Sequence, residues 1–279
     1  MSPTIAATIE AIGRALDGYG RVAVAVSGGI DSLTLATLAA DRIGARVRMF
    51  HSLTASVPRE ATARTRALAA ERGWALEVID AHEFARPEYR ANPVNRCFYC
   101  KQSLYAEIAR HTDAVLVSGA NTDDLREYRP GLDAAREAGA RHPFVEAGVD
   151  KATIRTIARE LGLGDLADIP ASPCLSSRVE TGIAIEAPML RRIDAAENAV
   201  RTFVPARAAV RCRVRAAGVV IEVDDEALES LSATTRGWIA FEVAKLFGGR
   251  QPSFEPYRNG SAFLRDSPSP VGEGRAEGQ

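Results

Sequence analysis

Val22-Ala-Val-Ala-Val-Ser27-Gly-Gly-Ile-Asp31-Ser32 decides how this chain is read: a short apolar run breaks into Ser-Gly-Gly-x-Asp-Ser, and a Leu- and Ala-rich stretch, Leu33 to Ala40, follows. β-Branched residues alternating through Val26 suit a buried parallel strand, and the stretch after the glycines suits a helix. Gly28 and Gly29 remove the Cβ atoms that would block a phosphate. The amides of the turn and of the helix N-terminus, with the hydroxyls of Ser27 and Ser32, offer several donors to phosphate oxygens. Asp31 is the odd member, because a carboxylate beside a phosphate repels it unless a divalent cation or a water lies between. Magnesium is therefore expected nearby. The loop is shorter than a Walker loop and has no lysine after its second glycine, which disfavours a plain kinase or GTPase. The bland alternative is an ordinary glycine turn between a strand and a helix.

Working outward, 279 residues with 46% apolar side chains suffice for one large domain or two small ones. Lys+Arg 35 against Asp+Glu 36 leaves a formal net charge of -1. Such a balance exerts no overall pull on nucleic acid, so a small-molecule substrate is favoured over RNA. Met1 to Gly20 carries charges inside its apolar pattern, which makes it neither a signal peptide nor a membrane span. A cytoplasmic protein without a membrane partner is expected. In that reducing compartment the four cysteines read as metal ligands, catalytic thiols or core residues rather than disulfides.

Ile5, Ile9, Ile12 and Leu16 recur at helical spacing before Gly18 and Gly20. After the phosphate loop, Arg46 to His51 reads as a strand, Arg59 to Arg72 as a helix and Ala75 to Ile79 as a strand. Lys101 to His111 reads as a helix and Ala114 to Ser118 as a strand. Alternating strands and helices predict an α/β domain over residues 1–181 with a doubly wound parallel sheet. Right-handed crossovers bring Ser27, the loop after His51 and Ser118-Gly-Ala-Asn-Thr-Asp-Asp124 to one crevice, where ATP should bind. Asp150 to Leu161 is a helix that Asp150 caps. A smaller α+β domain is expected over 182–264, with a helix from Glu186 to about Phe203, strands Ala208 to Val214 and Val219 to Val223, and helices from Glu226 to Lys245. The Ser-Pro-Ser-Pro and Gly-Glu-Gly composition over 265–279 predicts a disordered tail.

Asn92-Pro-Val-Asn-Arg96-Cys97-Phe-Tyr-Cys100-Lys101 places two thiols where a turn or helix start can bring them onto one ion or cluster. Cys174, in the Pro-flanked loop Ile169-Pro-Ala-Ser-Pro-Cys174, is the natural third ligand. Three cysteines on a cubane would leave one iron open to a sulfide or a substrate. Packed thiols or a structural zinc site remain the plainer alternatives for Cys97 and Cys100. In Val210-Arg-Cys-Arg-Val-Arg215, alternation puts Cys212 on an apolar face as a core residue. Arg211, Arg213 and Arg215 fall on the other face, as a solvated surface or a phosphate clamp.

The phosphate loop looks like that of the adenine nucleotide alpha-hydrolase, or PP-loop, family, whose members cut ATP between its α and β phosphates. Several further blocks carry a closer resemblance: the Asn92–Lys101 run, Gly119-Ala-Asn-Thr-Asp-Asp124, Tyr128-Arg-Pro-Gly131, Lys151-Ala-Thr-Ile-Arg155, Pro173-Cys-Leu-Ser-Ser-Arg178 and Tyr257-Arg-Asn-Gly-Ser261. With them the chain resembles LarE-type ATP-dependent sulfur transferases, which act in assembly of the nickel-pincer nucleotide cofactor of lactate racemase. The resemblance implies adenylylation of a carboxylate on a pyridinium dicarboxylate mononucleotide, release of pyrophosphate, attack by sulfur and loss of AMP. It implies Asp31 and Cys174 as catalytic, and Ser27, Gly28, Gly29, Asp31, Ser32 and Asn121 at the nucleotide. Arg178, Arg213 and Arg215 match family arginines that bind the substrate phosphate, and Glu197 and Glu222 match acidic residues implicated in metal binding. Cys97, Cys100 and Cys174 resemble the branch in which three cysteines hold a [4Fe-4S] cluster with a removable sulfide. In the single-cysteine form the residue matching Cys174 gives up its own sulfur. The segment between Arg215 and Glu222 is short and lacks the family's His-Gly-Asp, and an exposed helix acid is the alternative for Glu197. A homo-oligomer is expected. The rivals are a tRNA thiolase, a ligase of the same fold with structural zinc, and an ATP-sensing module.

Overall fold

The computed structural model describes residues 2–170 and 173–263. Its larger sheet has strands β1 (Val22–Ala25), β2 (Val47–Ser52), β3 (Leu76–Ile79) and β4 (Val115–Ser118), all parallel in the order β3-β2-β1-β4. Alternation along β1 explains its burial. Val22, Val24 and Val26 enter one core with the helices Pro3–Tyr19, Ile30–Ile43 and Lys151–Glu160. Ala23 and Ala25 enter another with Tyr105 and Ile108 of the helix Arg96–His111. The sheet is covered on both faces, as a doubly wound α/β fold requires. Helix Arg59–Arg72 has the bounds its sequence suggests, and Gly73 ends it in the left-handed region at φ +65. Asp150 caps the helix Lys151–Glu160 by accepting from the Thr153 amide at 2.8 Å.

The Arg96–His111 helix starts earlier than the expected Lys101, because Arg96 N–H and Phe98 N–H close a turn on the Pro93 and Asn95 carbonyls. Cys97 and Cys100 therefore sit in its first turn, three residues apart on one face.

The smaller sheet pairs β5 (Val210–Arg215) antiparallel with β6 (Gly218–Val223), and β6 parallel with β7 (Ser253–Pro256). Sequence patterning does not foresee β7, a short edge strand closed by a proline. The helices Ala187–Arg201 and Ala233–Leu246 cover this sheet, the second started by Ser232, whose hydroxyl accepts from Thr235 N at 3.1 Å. Their core also takes Tyr89, Leu175, Val179 and Ile185, so the segment after Cys174 packs with the C-terminal unit. The expected disordered tail, from 265 onward, lies outside the described residues, as do Ala171 and Ser172 of the Pro-rich loop. No helix among the described residues is long and apolar enough to cross a membrane.

Candidate functional site

At the C-terminal end of β1 the Ser27–Ser32 loop is tied by its own hydroxyls. Ser32 Oγ accepts from Ser27 N at 3.1 Å, donates to the Gly29 carbonyl at 2.9 Å and lies 3.1 Å from Ser27 Oγ. No side chain caps the Ile30–Ile43 helix at Gly29, so the amides of its first turn face whatever anion enters the loop. Gly28 has φ +80, and a Cβ on it would stand 2.6 Å from the Ala61 carbonyl oxygen. Gly119, just past β4, lies so close that a Cβ would meet the Asp31 carbonyl carbon and Ser32 N at 2.9 Å. Two neighbours brace the loop. His51, buried in β2, donates from Nδ1 to the Val26 carbonyl and accepts at Nε2 from Thr62 Oγ1, both at 2.9 Å. Burial lowers its pKa, which keeps the ring in the neutral form these bonds need. Arg64 Nε donates to the Gly28 carbonyl at 3.0 Å.

Asp31 opens the helix with one carboxylate oxygen, Oδ2, on Lys151 Nζ at 2.6 Å. Its other oxygen, Oδ1, is buried without a hydrogen-bond partner. Burial pushes the Asp31 carboxyl up, against the pull of Lys151. A half-buried, half-satisfied carboxylate at a phosphate loop suits a hard divalent cation arriving with a nucleotide. Asn121 is buried in the neighbouring turn, where its Oδ1 accepts from Asp123 N at 3.0 Å and its own N–H donates to Asp124 Oδ2 at 3.1 Å.

Cys97, Cys100 and Cys174 come together from the helix start and the distant loop: each of the three pairs is close enough for one sulfur's charge to act on the other. All three are half-buried. Burial pushes the Cys97 and Cys100 thiols up, and the charges of Cys174 and, for Cys100, Glu83 push the same way. Lys101, whose burial alone would lower its pKa, is held charged by Tyr105 and the three sulfurs. As placed, no three His, Cys, Asp or Glu side chains among the described residues form a group that could hold a single metal ion. Three thiols that feel one another's charge, with the Lys101 ammonium beside them, are the donor type that an iron–sulfur cluster takes. Leu175 N donates to the Ser56 carbonyl at 2.8 Å, which hangs the Cys174 segment on the loop after β2, at the same sheet edge as the phosphate loop.

Two buried arginines brace that segment. Arg178 spends Nε and Nη2 on Glu197 and Nη1 on the carbonyls of Pro173 (2.7 Å) and Cys174 (3.3 Å). Arg213 donates to Glu222 Oε2 at 2.9 Å and to the Ser177 carbonyl at 3.0 Å. Arg215 Nη2 holds Glu222 Oε1 at 2.6 Å, while its Nε is buried without a partner. The solvated-face alternative for the β5 arginines does not hold, since Arg211 and Arg213 are only 2% and 3% exposed. Burial, reinforced by the Arg178 charge, lowers the Arg211 pKa to about 10. Glu197 is not an exposed helix acid either, being buried with Arg178 and the Cys212 amide on it. Because both Glu197 and Glu222 are committed to arginines, a cation at either would have to displace one. Among the described residues neither carboxylate joins the cysteines in a metal-holding group. Cys212 is fully buried in the core, as alternation along β5 suggests.

Sequence reading assigns no individual role to three residues that shape the site. Glu83 is buried, with Oε1 accepting from Thr54 Oγ1 at 2.5 Å and Ser56 Oγ at 2.8 Å and with Oε2 unpartnered. Asn92, at φ +54, clips the cysteine turn to the C-terminal unit: its Nδ2 donates to the Glu180 and Ile183 carbonyls at 2.8 and 2.9 Å, and its Oδ1 accepts from Arg96. Lys151 is the third. An Asn–Pro pair hints at a turn for Asn92, but nothing local marks Glu83 or the reach of Lys151.

No family model matches the chain. It is 38% identical over 185 residues to an uncharacterized protein of Synechocystis sp., covering 65% of this chain and 69% of that one. It is 30% identical over 210 residues to the pyridinium-3,5-bisthiocarboxylic acid mononucleotide synthase of Lactiplantibacillus plantarum, covering 72% and 74%. An uncharacterized protein of Methanocaldococcus jannaschii is 30% identical over 210 residues, covering 74% and 79%.

Proposed function

The chain belongs to the family of that mononucleotide synthase, the LarE-type sulfur transferases, and from this premise we propose that it uses ATP to turn a carboxylate of a pyridinium dicarboxylate mononucleotide into a thiocarboxylate. The observation that carries the proposal is the Leu175-to-Ser56 hydrogen bond of 2.8 Å, because it sets Cys174 at the sheet edge that also bears the phosphate loop. Activation and sulfur delivery can then act on one bound substrate.

A carboxylate oxygen is a poor leaving group, so it first attacks the α-phosphorus of MgATP and pyrophosphate leaves. The Ser27–Ser32 amides and hydroxyls hold the phosphates, and Asp31 would hold the magnesium that accompanies them, which would supply charge stabilisation for the departing pyrophosphate. A sulfur nucleophile then attacks the acyl carbon, and AMP departs with the carbon–oxygen bonding pair. Cys97, Cys100 and Cys174 would hold a [4Fe-4S] cluster, which when bound supplies a removable sulfide as that nucleophile. Lys101 balances the thiolate charge, Arg178 holds the Pro173 and Cys174 carbonyls, and Arg213 holds that of Ser177. Of the arginines assigned to the substrate phosphate, Arg215 keeps a free donor at Nε. Glu197 and Glu222 act here by orienting arginines. A cytoplasmic homo-oligomer acting on a small molecule completes the proposal.

Intact mass spectrometry before and after turnover tests it, on protein with and without reconstituted iron and sulfide. Thiocarboxylate formed over several turnovers by an unchanged chain is the expected result. A chain that has lost the sulfur of Cys174 would mean a sacrificial donor instead, and no thiocarboxylate under either condition would overturn the assignment.

A further inference from the structure

The chain just ahead of the cysteine helix holds the Cys174 segment by two routes. The short helical turn Glu83–Ala85 and the helix Pro87–Arg90 precede the Arg96–His111 helix that carries Cys97 and Cys100. From the second of them the Tyr89 hydroxyl bonds Ser176 Oγ at 2.6 Å, and both side chains are buried. From the first, the buried Glu83 reaches the loop after β2, where its Oε1 accepts from Thr54 Oγ1 at 2.5 Å and Ser56 Oγ at 2.8 Å. The carbonyl of that same Ser56 takes the Leu175 amide at 2.8 Å. An ionised carboxylate only accepts, so both hydroxyl protons point at Glu83, although the two hydroxyl oxygens stand 2.8 Å apart and could bond each other. Hydrogen bonds to a charged acceptor are about twice as strong as neutral ones, so the carboxylate fixes this turn.

We propose that Glu83 is a positioning residue for sulfur delivery: by fixing Thr54 and Ser56 it sets the Ser56 carbonyl, and through the Leu175 amide it sets where the Cys174 sulfur stands against Cys97 and Cys100. The inference rests on the sulfur-transfer reading above and holds whether the sulfur comes from a cluster or from Cys174 itself. The charge of Glu83 is felt at Cys100, which places the carboxylate beside the cysteine site. Its Oε2 is buried without a partner. A glutamine would give the two hydroxyls the same acceptor at a far smaller burial cost, so fold stability alone does not account for a carboxylate here. Glu83 forms and breaks no bond in the reaction. Its effect is geometric, and a shift on the order of 1 Å at a reacting atom can cost about a hundredfold in rate.

The test compares Glu83→Ala, Glu83→Gln and wild type in three measurements: iodoacetamide labelling of each cysteine in metal-free folded protein, the rate of pyrophosphate release, and the rate of thiocarboxylate formation with the dicarboxylate nucleotide after reconstitution with iron and sulfide. In Glu83→Ala, Cys174 should label several-fold faster while Cys212 stays unmodified, and thiocarboxylate formation should fall about a hundredfold, far more than pyrophosphate release. Glu83→Gln, isosteric and still an acceptor, should fall between. In protein already carrying Thr54→Val and Ser56→Ala, Glu83→Ala should add little to Cys174 labelling, because the effect travels through those hydroxyls. Faster labelling of all four cysteines with equal loss of both rates would make Glu83 merely structural and overturn the proposal. So would a Glu83→Ala protein that matches wild type in Cys174 labelling and in thiocarboxylate formation. Wild-type protein that forms no thiocarboxylate would overturn the sulfur-transfer reading, and this inference with it; the labelling comparison, which needs no turnover, separates that failure from a failure of Glu83 alone.

Discussion

Arg178 clasps both carboxylate oxygens of Glu197, Nε to Oε1 at 2.8 Å and Nη2 to Oε2 at 3.1 Å, while its Nη1 holds the carbonyl of Pro173 at 2.7 Å. One buried guanidinium therefore couples the Ala187–Arg201 helix to the loop that carries Cys174. Arg178→Ala would strand a buried carboxylate and should cost about 3–5 kcal/mol. Urea unfolding measures it, and an unchanged midpoint would contradict the bracing role.

The same pair sets an acid limit. Against the burial that would raise it, the Arg178 charge holds the Glu197 carboxyl below its ordinary 4.5. A depressed acid contributes its stability fully above that value and loses it as pH falls from there through the folded pKa. Glu197→Gln should flatten this part of the stability curve, and parallel curves for the two proteins would refute the assignment.

Gly28 and Gly29 should tolerate alanine unequally. At Gly28 a methyl meets φ +80 and the Ala61 carbonyl at 2.6 Å, whereas at Gly29 it meets only Ser27 Oγ at 3.5 Å. Gly28→Ala is expected to cost more than about 1 kcal/mol and to abolish MgATP binding, with Gly29→Ala the milder change. Thermal unfolding and calorimetry on both variants check the order.

Asp31 and Cys174 should separate the two halves of the reaction. Asp31→Ala is expected to stop pyrophosphate release, and Cys174→Ala to spare it while stopping thiocarboxylate formation. Equal loss of pyrophosphate release in both would count against this division of roles.

Thiol alkylation should read the cysteine environments. Burial raises Cys97 and Cys100 above their ordinary range and encloses Cys212 entirely. In metal-free folded protein near neutral pH, peptide mapping after iodoacetamide should find Cys212 unmodified and Cys97 and Cys100 slow. All four should label together in denaturant, and fast labelling of Cys212 in the folded protein would contradict its core position.

The sequence by itself determined whatever depends on neighbours a few residues apart. The Val22–Val26 alternation named a strand buried on both faces, Ser-Gly-Gly-x-Asp-Ser named a phosphate turn, and Asp150 announced a helix cap, because strand pleat, turn sterics and capping are local physics. Only the tertiary structure decided which charges meet. Lys151 stands 120 positions from Asp31, Glu83 joins Thr54 and Ser56 across a loop, and Arg178 ties Glu197 to the carbonyls of Pro173 and Cys174. Periodicity marks a face as polar, but it cannot say whether that face meets water or another charge. Which of the two it meets depends on how the two layers pack, since burial makes an unpaired charge costly and so selects its partner. The Ser27–Ser32 loop was legible from its glycines, serines and flanking strand and helix, whereas the Lys151 ammonium on Asp31 was visible only once the Lys151–Glu160 helix joined the core beside β1.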